Sequence, residues 1–78
     1  MNIIVQNNII LIYPTRKYLI EIDKEDSTFR VFRREDKNYK KNWKYLNTVT
    51  NTSIIEGVLE AYKEIRRYED NNKGNTRN

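Results

Sequence analysis

The stretch SIIEGVLEAYKEIRR, residues 53–67, decides the fold. Ile54, Ile55, Val58, Leu59, Tyr62 and Ile65 fall at i, i+1, i+4, i+5, i+8 and i+11, one continuous apolar stripe at helical period. Glu56, Glu60, Lys63, Glu64 and Arg67 take the other side. Ser53 with Glu56 three residues later fits a capping box, in which each side chain satisfies the other's backbone N–H. The acids come early and Lys63, Arg66 and Arg67 late, the order the helix dipole favours. Gly57 costs about 1 kcal/mol relative to alanine inside a helix, and close approach to a neighbouring sheet would account for it. The stripe is read as a surface that roofs a sheet rather than as a dimer seam.

Working back from Ser53, the chain reads as strands. Ile3-Ile4-Val5 and Ile9–Tyr13 are short, β-branched runs, and the second stops at Pro14. Asn7-Asn8 is read as an irregularity within one long strand, the alternative being a tight turn between two short ones. Pro14-Thr15-Arg16-Lys17 is a turn. Tyr18–Asp23 alternates, with Tyr18, Ile20 and Ile22 on one face. Lys24–Ser27 is a polar turn without glycine, and Thr28–Arg34 alternates again. Phe29, Val31 and Arg33 are assigned to the helix side and Arg30, Phe32 and Arg34 to the other; the opposite register would bury Phe32 instead. Asp36–Asn42 reads as a mobile loop or hairpin tip. Trp43–Val49 reads as a last short strand, with Trp43 and Tyr45 as its core residues. Asp70–Asn78 is polar without an apolar anchor and reads as a frayed tail.

The expected fold class is therefore α+β: an antiparallel sheet of three to four strands, β-β-β-(β)-α, with one C-terminal amphipathic helix on one face. A single domain spans residues 1–69 and a flexible polar tail residues 70–78. One helix covers one face, so the other face of the sheet stays wet or meets a partner. The exposed edge strand near Met1 is a place for β-augmentation or homodimerisation.

Composition narrows the chemistry. Seventy-eight residues with no Cys and no His lack the side chains most used for thiol chemistry and for proton transfer near neutral pH. Two glycines cannot build a phosphate-cradling loop. Glu21, Asp23, Glu25 and Asp26 cluster around one turn, yet their spacing matches neither an EF-hand nor a two-metal carboxylate set. No enzymatic activity, cofactor or metal site is expected. The longest purely apolar run, Ile9–Tyr13, is too short to cross a membrane as a helix. No signal peptide is apparent, and a cysteine-free chain fits a reducing cytoplasm.

One feature points to binding. Between Arg30 and Lys44 the chain carries seven basic residues against two acidic ones, a net +5 in a chain whose total is +4. Arg30, Phe32, Arg33, Arg34, Lys37, Tyr39, Lys40, Lys41 and Lys44 are the candidate partner-binding residues. The cations neutralise phosphates or acidic protein surface, and the interleaved rings offer stacking faces for bases. Phe32 between two guanidiniums on an uncovered face also has the composition of a protein-interface hot spot.

The succession of a sheet hairpin, a Lys-rich loop, Trp43-Lys44-Tyr45, the linker Thr50–Ser53 and the acidic-to-basic helix Ile54–Arg67 resembles small phage and mobile-element proteins of low-GC Gram-positive bacteria. That group is comparable to small anti-CRISPR inhibitors. The resemblance implies a non-enzymatic protein in the host cytoplasm that binds a host protein or ribonucleoprotein stoichiometrically and so modulates a nucleic-acid-processing machine. Direct DNA or RNA binding and an oligomerising structural role are the alternatives. The basic charge departs from the acidic DNA mimics among such inhibitors.

Overall fold

The computed structural model describes residues 1–76, with side chains described as far as Asn72. Five strands, β1 (Asn2–Gln6), β2 (Ile9–Tyr13), β3 (Tyr18–Asp23), β4 (Thr28–Arg34) and β5 (Trp43–Thr50), precede one helix, α1 (Ile54–Thr76). The strands form a single antiparallel meander in the order β1-β2-β3-β4-β5. The architecture is α+β as expected, with five strands where the sequence suggested three to four.

The extra strand arises at Asn7-Asn8, which is a two-residue turn and not an irregularity in one long strand. Gln6 and Ile9 face each other across it, and Asn7 supplies a φ of 43°. Asparagine tolerates this left-handed conformation better than most residues with a Cβ. At the next corner but one, Lys24–Ser27 closes without glycine. The Asp23 carboxylate accepts from the backbone N–H groups of Glu25 (3.0 Å) and Asp26 (3.2 Å), and Ser27 takes φ 57°. The acidic cluster at this corner holds a turn together.

Alternation places Tyr18, Ile20, Ile22, Phe29 and Val31 beneath the helix, where all five are buried with Ile12 and Ala61. The helix lies over β3, β4 and β5. Its closest approach is made by its smallest residues. Gly57 and Ala61 are buried, and a Cβ added at Gly57 would clash with the Phe29 ring, nearest its Cζ. Val58, Tyr62 and Ile65 flank this line and pack on the core. The stripe read from the sequence is thus rotated: Ile54 and Leu59 are exposed, and Ile55 is 76% exposed. Two hydrogen bonds hold the opposite flank, one to β5, Asn47 Nδ2 to Glu64 Oε1 at 2.8 Å, and one to the linker after it, Asn51 Nδ2 to Glu60 Oε1 at 3.4 Å.

Ser53 caps the helix as expected, its Oγ accepting from the Glu56 N–H at 3.3 Å. The reciprocal half of the capping box is replaced, because the Ser53 N–H donates to Asn51 Oδ1 at 2.9 Å. The helix continues through Asp70–Thr76, residues assigned to the tail from sequence. Arg77 and Asn78 of that expected tail lie outside the described residues. Among the described residues no helix is long and apolar enough to cross a membrane.

Candidate nucleic-acid interface

The face of the sheet away from the helix carries four rings, those of Tyr13, Phe32, Trp43 and Tyr45. Cross-strand partners share a face, so the pairs Asn2↔Tyr13, Ile4↔Leu11, Leu11↔Glu21, Leu19↔Phe32, Glu21↔Arg30, Phe32↔Tyr45 and Arg34↔Trp43 define it. Phe32 and Tyr45 meet edge to face, with centroids 5.9 Å apart. Tyr13 on β2 and Trp43 on β5 come within 6.1 Å although β3 and β4 run between them. Flat strands three steps apart are separated by about 14 Å, so the curl of the sheet and the reach of both rings close that gap.

Trp43 and Tyr45 were expected in the core; Trp43 is half-buried and Tyr45 is 54% exposed. A β-bulge is the reason. Val31 pairs with Asn47 and Phe32 with Tyr45, which leaves Leu46 as an extra residue in β5. Side-chain direction has a period of two, so one inserted residue inverts everything before it. Asn47 and Val49 therefore face the helix while Trp43 and Tyr45, on the same odd positions, face away.

An open cleft of about 760 Å³ sits at one end of this face, lined by Met1, Ile4, Tyr13, Arg16, Arg34, Lys41 and Trp43 among others. Arg34 and Lys41 also line an adjoining hollow of about 630 Å³ with Asp36, Asn38, Tyr39 and Lys40. The two concavities therefore form one cationic, aromatic surface. The segment expected to be a mobile loop or hairpin tip is a hairpin tip: Lys37 and Lys40 bond to each other's backbone at 3.1 and 2.9 Å around Asn38 and Tyr39. Both tip residues have positive φ, 54° and 62°, a backbone that glycine prefers and that tyrosine adopts at a cost of about 1–2 kcal/mol. Tyr39 stands fully exposed there, between Asn38 and Lys40.

The nine residues singled out from sequence divide by environment. Arg34, Lys40, Lys41 and Tyr39 meet at the two concavities, and Lys37 closes the hairpin tip beside them. Phe32 lies on the same face of the sheet. Arg30 shares that face but is engaged, its Nη1 lying 3.3 Å from Glu21 Oε1. Arg34 donates from Nε to Asp36 Oδ1 at 2.9 Å. That hydrogen bond holds the Asp36 carboxyl below its usual range and raises the Arg34 guanidinium above its own. Arg33 and Lys44 belong to the other face: they pair across β4–β5 on the helix side, although Arg33 also reaches a hollow at the sheet border beside Arg16, Arg34 and Asp36. There Arg33 stacks 5.0 Å from the Tyr18 ring centroid and Lys44 lies 5.6 Å from that of Tyr68. Tyr18 is 3% exposed, and its hydroxyl is pushed up to about 12, chiefly by burial and then by the Glu69 carboxylate, against the opposing pull of Arg33.

Sequence reasoning missed Tyr13 and Arg16 as members of the surface. Their sequence neighbours carry no sign of it, because β2 and the β2–β3 turn reach the basic segment only through the meander. Comparison with known protein families, with curated proteins and with solved structures finds no match to this chain.

Proposed function

We propose that this chain is a non-enzymatic binding protein whose uncovered sheet face takes up single-stranded nucleic acid. One observation carries the reading. Tyr13, Trp43 and the strained Tyr39 present rings along a surface whose free cations are Arg16, Lys37, Lys40 and Lys41. These four have no ion partner among the described residues, whereas Arg30 and Arg34 have one each. Single-strand binders combine such elements: backbone phosphates track the cations while bases stack on rings, each stack contributing about 1–3 kcal/mol. A duplex would present phosphates but no free base faces to Trp43 and Tyr39.

The number of uncommitted cations sets a quantitative expectation. Four phosphate contacts on a single strand give log Kobs against log[salt] a slope of about −3. The chain has one tryptophan, and it lies in the cleft, so its fluorescence reports on occupancy directly. Titration with an unstructured oligonucleotide should quench Trp43, with a slope near that value. Replacing both Lys40 and Lys41 by Gln should flatten the slope by about 1.4, half of its value. Absence of quenching at low salt refutes the reading.

A second reading, stoichiometric inhibition of a host nucleic-acid-processing complex in the cytoplasm by protein contact, is favoured by a different observation. Ile54, Ile55 and Leu59 form an exposed aliphatic surface on the first turns of α1, of the kind found in partner interfaces. Recovery of one intact host complex on the tagged protein, lost on replacing Ile55 and Leu59 by Ser, supports it; unchanged recovery with that variant refutes it.

A further inference from the structure

The first strand is built differently from every other border of the sheet. All five residues of β1 are exposed, none is charged, and none is proline. The opposite border, β5, carries Lys44 and the Leu46 bulge, two of the devices by which edge strands avoid pairing with other chains. In a two-residue hairpin the residues that close the turn exchange both their backbone hydrogen bonds, and pairs alternate from there. With Gln6↔Ile9 as the closing pair, Gln6, Ile4 and Asn2 direct their N–H and C=O groups to β2. The N–H and C=O groups of Ile3 and Val5 point outward.

The sequence of this edge, Asn-Ile-Ile-Val-Gln, is chemically palindromic about Ile4. An antiparallel copy in that register sets Asn2 against Gln6, Ile3 against Val5 and Ile4 against Ile4. Amide then meets amide, aliphatic meets aliphatic, and the hydrogen-bonding positions are the outward-pointing Ile3 and Val5. The protein carries +4 overall, yet residues 2–6 are uncharged, so the paired strands themselves appose no like charges. From this we infer that β1 is a self-association edge, and that two chains join β1 to β1 about a two-fold axis into one ten-stranded sheet. The axis runs perpendicular to the sheet, so both helices lie on one side and both ring-bearing faces on the other.

Sedimentation of the full chain without nucleic acid, from micromolar to millimolar concentration, should show the mass rising from the 9.5 kDa of one chain towards twice that value. Amide exchange at Ile3 and Val5 should slow over the same range. Two variants separate association from folding. Val5→Pro removes an outward N–H that the monomer does not use, and Ile3→Lys places a charge beside its own copy on an exposed position. Each should raise the dimer dissociation constant at least tenfold while leaving the monomer's circular dichroism and melting unchanged. A strict monomer at millimolar concentration overturns the inference. So does a dimer that persists undiminished in both variants, or one that leaves the Ile3 and Val5 amides unprotected.

Discussion

Replacing Gly57 by alanine tests how the helix is seated. In an exposed helix this substitution stabilises by about 1 kcal/mol, the propensity difference between the two residues. Here the added methyl group has no room, since it would overlap the outer carbons of the Phe29 ring, which is 1% exposed and packed in the core with Ile20, Ile22 and Val31. The ring has no solvent to swing into. Either Phe29 leaves its rotamer well, at about 0.5–1.5 kcal/mol, or α1 lifts and loosens the packing around Ala61. Overpacking costs about 1–3 kcal/mol. A methyl group forced against a buried ring belongs to the upper part of that range, about 2–3 kcal/mol, so after the propensity gain the net change is a loss of about 1–2 kcal/mol. For a domain of this size each kcal/mol moves Tm by about 4–8 °C, and thermal unfolding followed by circular dichroism should fall by about 5–15 °C. Phe29→Leu in the Gly57→Ala background should cost less than the sum of the two single changes, because the shortened side chain vacates the space the methyl group needs. A Gly57→Ala protein that melts at or above the parent temperature would falsify the close approach, and with it the rotation of the stripe towards Gly57 and Ala61.

Tyr39→Gly should raise stability by about 0.5–1 kcal/mol in a denaturant melt, since glycine relieves the positive φ while adding freedom to the unfolded chain; the same change should weaken oligonucleotide binding severalfold. A variant both less stable and unimpaired in binding would count against the tip as a strained stacking element. Tyr18 is held neutral, its folded pKa of about 12 standing above the usual 10, so the stability it contributes is complete below pH 10 and is lost as pH rises from 10 towards 12. Ultraviolet titration should show one tyrosine step near pH 12 that Tyr18→Phe removes. Ser53→Ala should cost about 1 kcal/mol through loss of the cap on the Glu56 N–H, measured as a shift in denaturation midpoint at constant m.

Much of the fold was legible because two periods are written plainly in the chain. Alternation over Tyr18–Asp23 and Thr28–Arg34 gave the buried face correctly, and helical spacing after Ser53 located α1. The misreadings share a physical cause. At Asn7-Asn8, a turn without glycine or proline resembles a polar interruption of one strand. At Leu46, a single unpaired residue inverts the facing of Trp43 and Tyr45, and nothing in the local composition distinguishes a bulge from regular pleating. On α1, hydrophobicity located the stripe, but steric fit chose which line of it touches the sheet. Gly57 and Ala61 permit closer approach than Ile55 and Leu59, so the larger residues are left outside. Charge counts were the least informative guide to the surface, because they do not distinguish Arg30 and Arg34, neutralised by Glu21 and Asp36, from Lys40 and Lys41, which remain free.

The alternation of β1 also decides whether its two suggested roles interfere. Asn2 and Ile4 lie on the ring-bearing face and line the cleft, and their backbone groups are spent on β2. Ile3 and Val5 project to the other face and hold the unpaired N–H and C=O groups. A period of two thus assigns nucleic-acid contact to the even positions and the backbone hydrogen bonds between chains to the odd ones. Joining β1 to β1 brings the cleft of one copy beside the cleft of the other without filling either, since the two Ile4 side chains meet at the boundary between them. Changes at Ile3 or Val5 should therefore alter mass and leave Trp43 quenching by a short oligonucleotide intact. Changes at Lys40 or Lys41 should do the reverse. If either set of substitutions moved both measurements together, the two faces of β1 would not be separable, and the register about Ile4 would be the first thing to abandon.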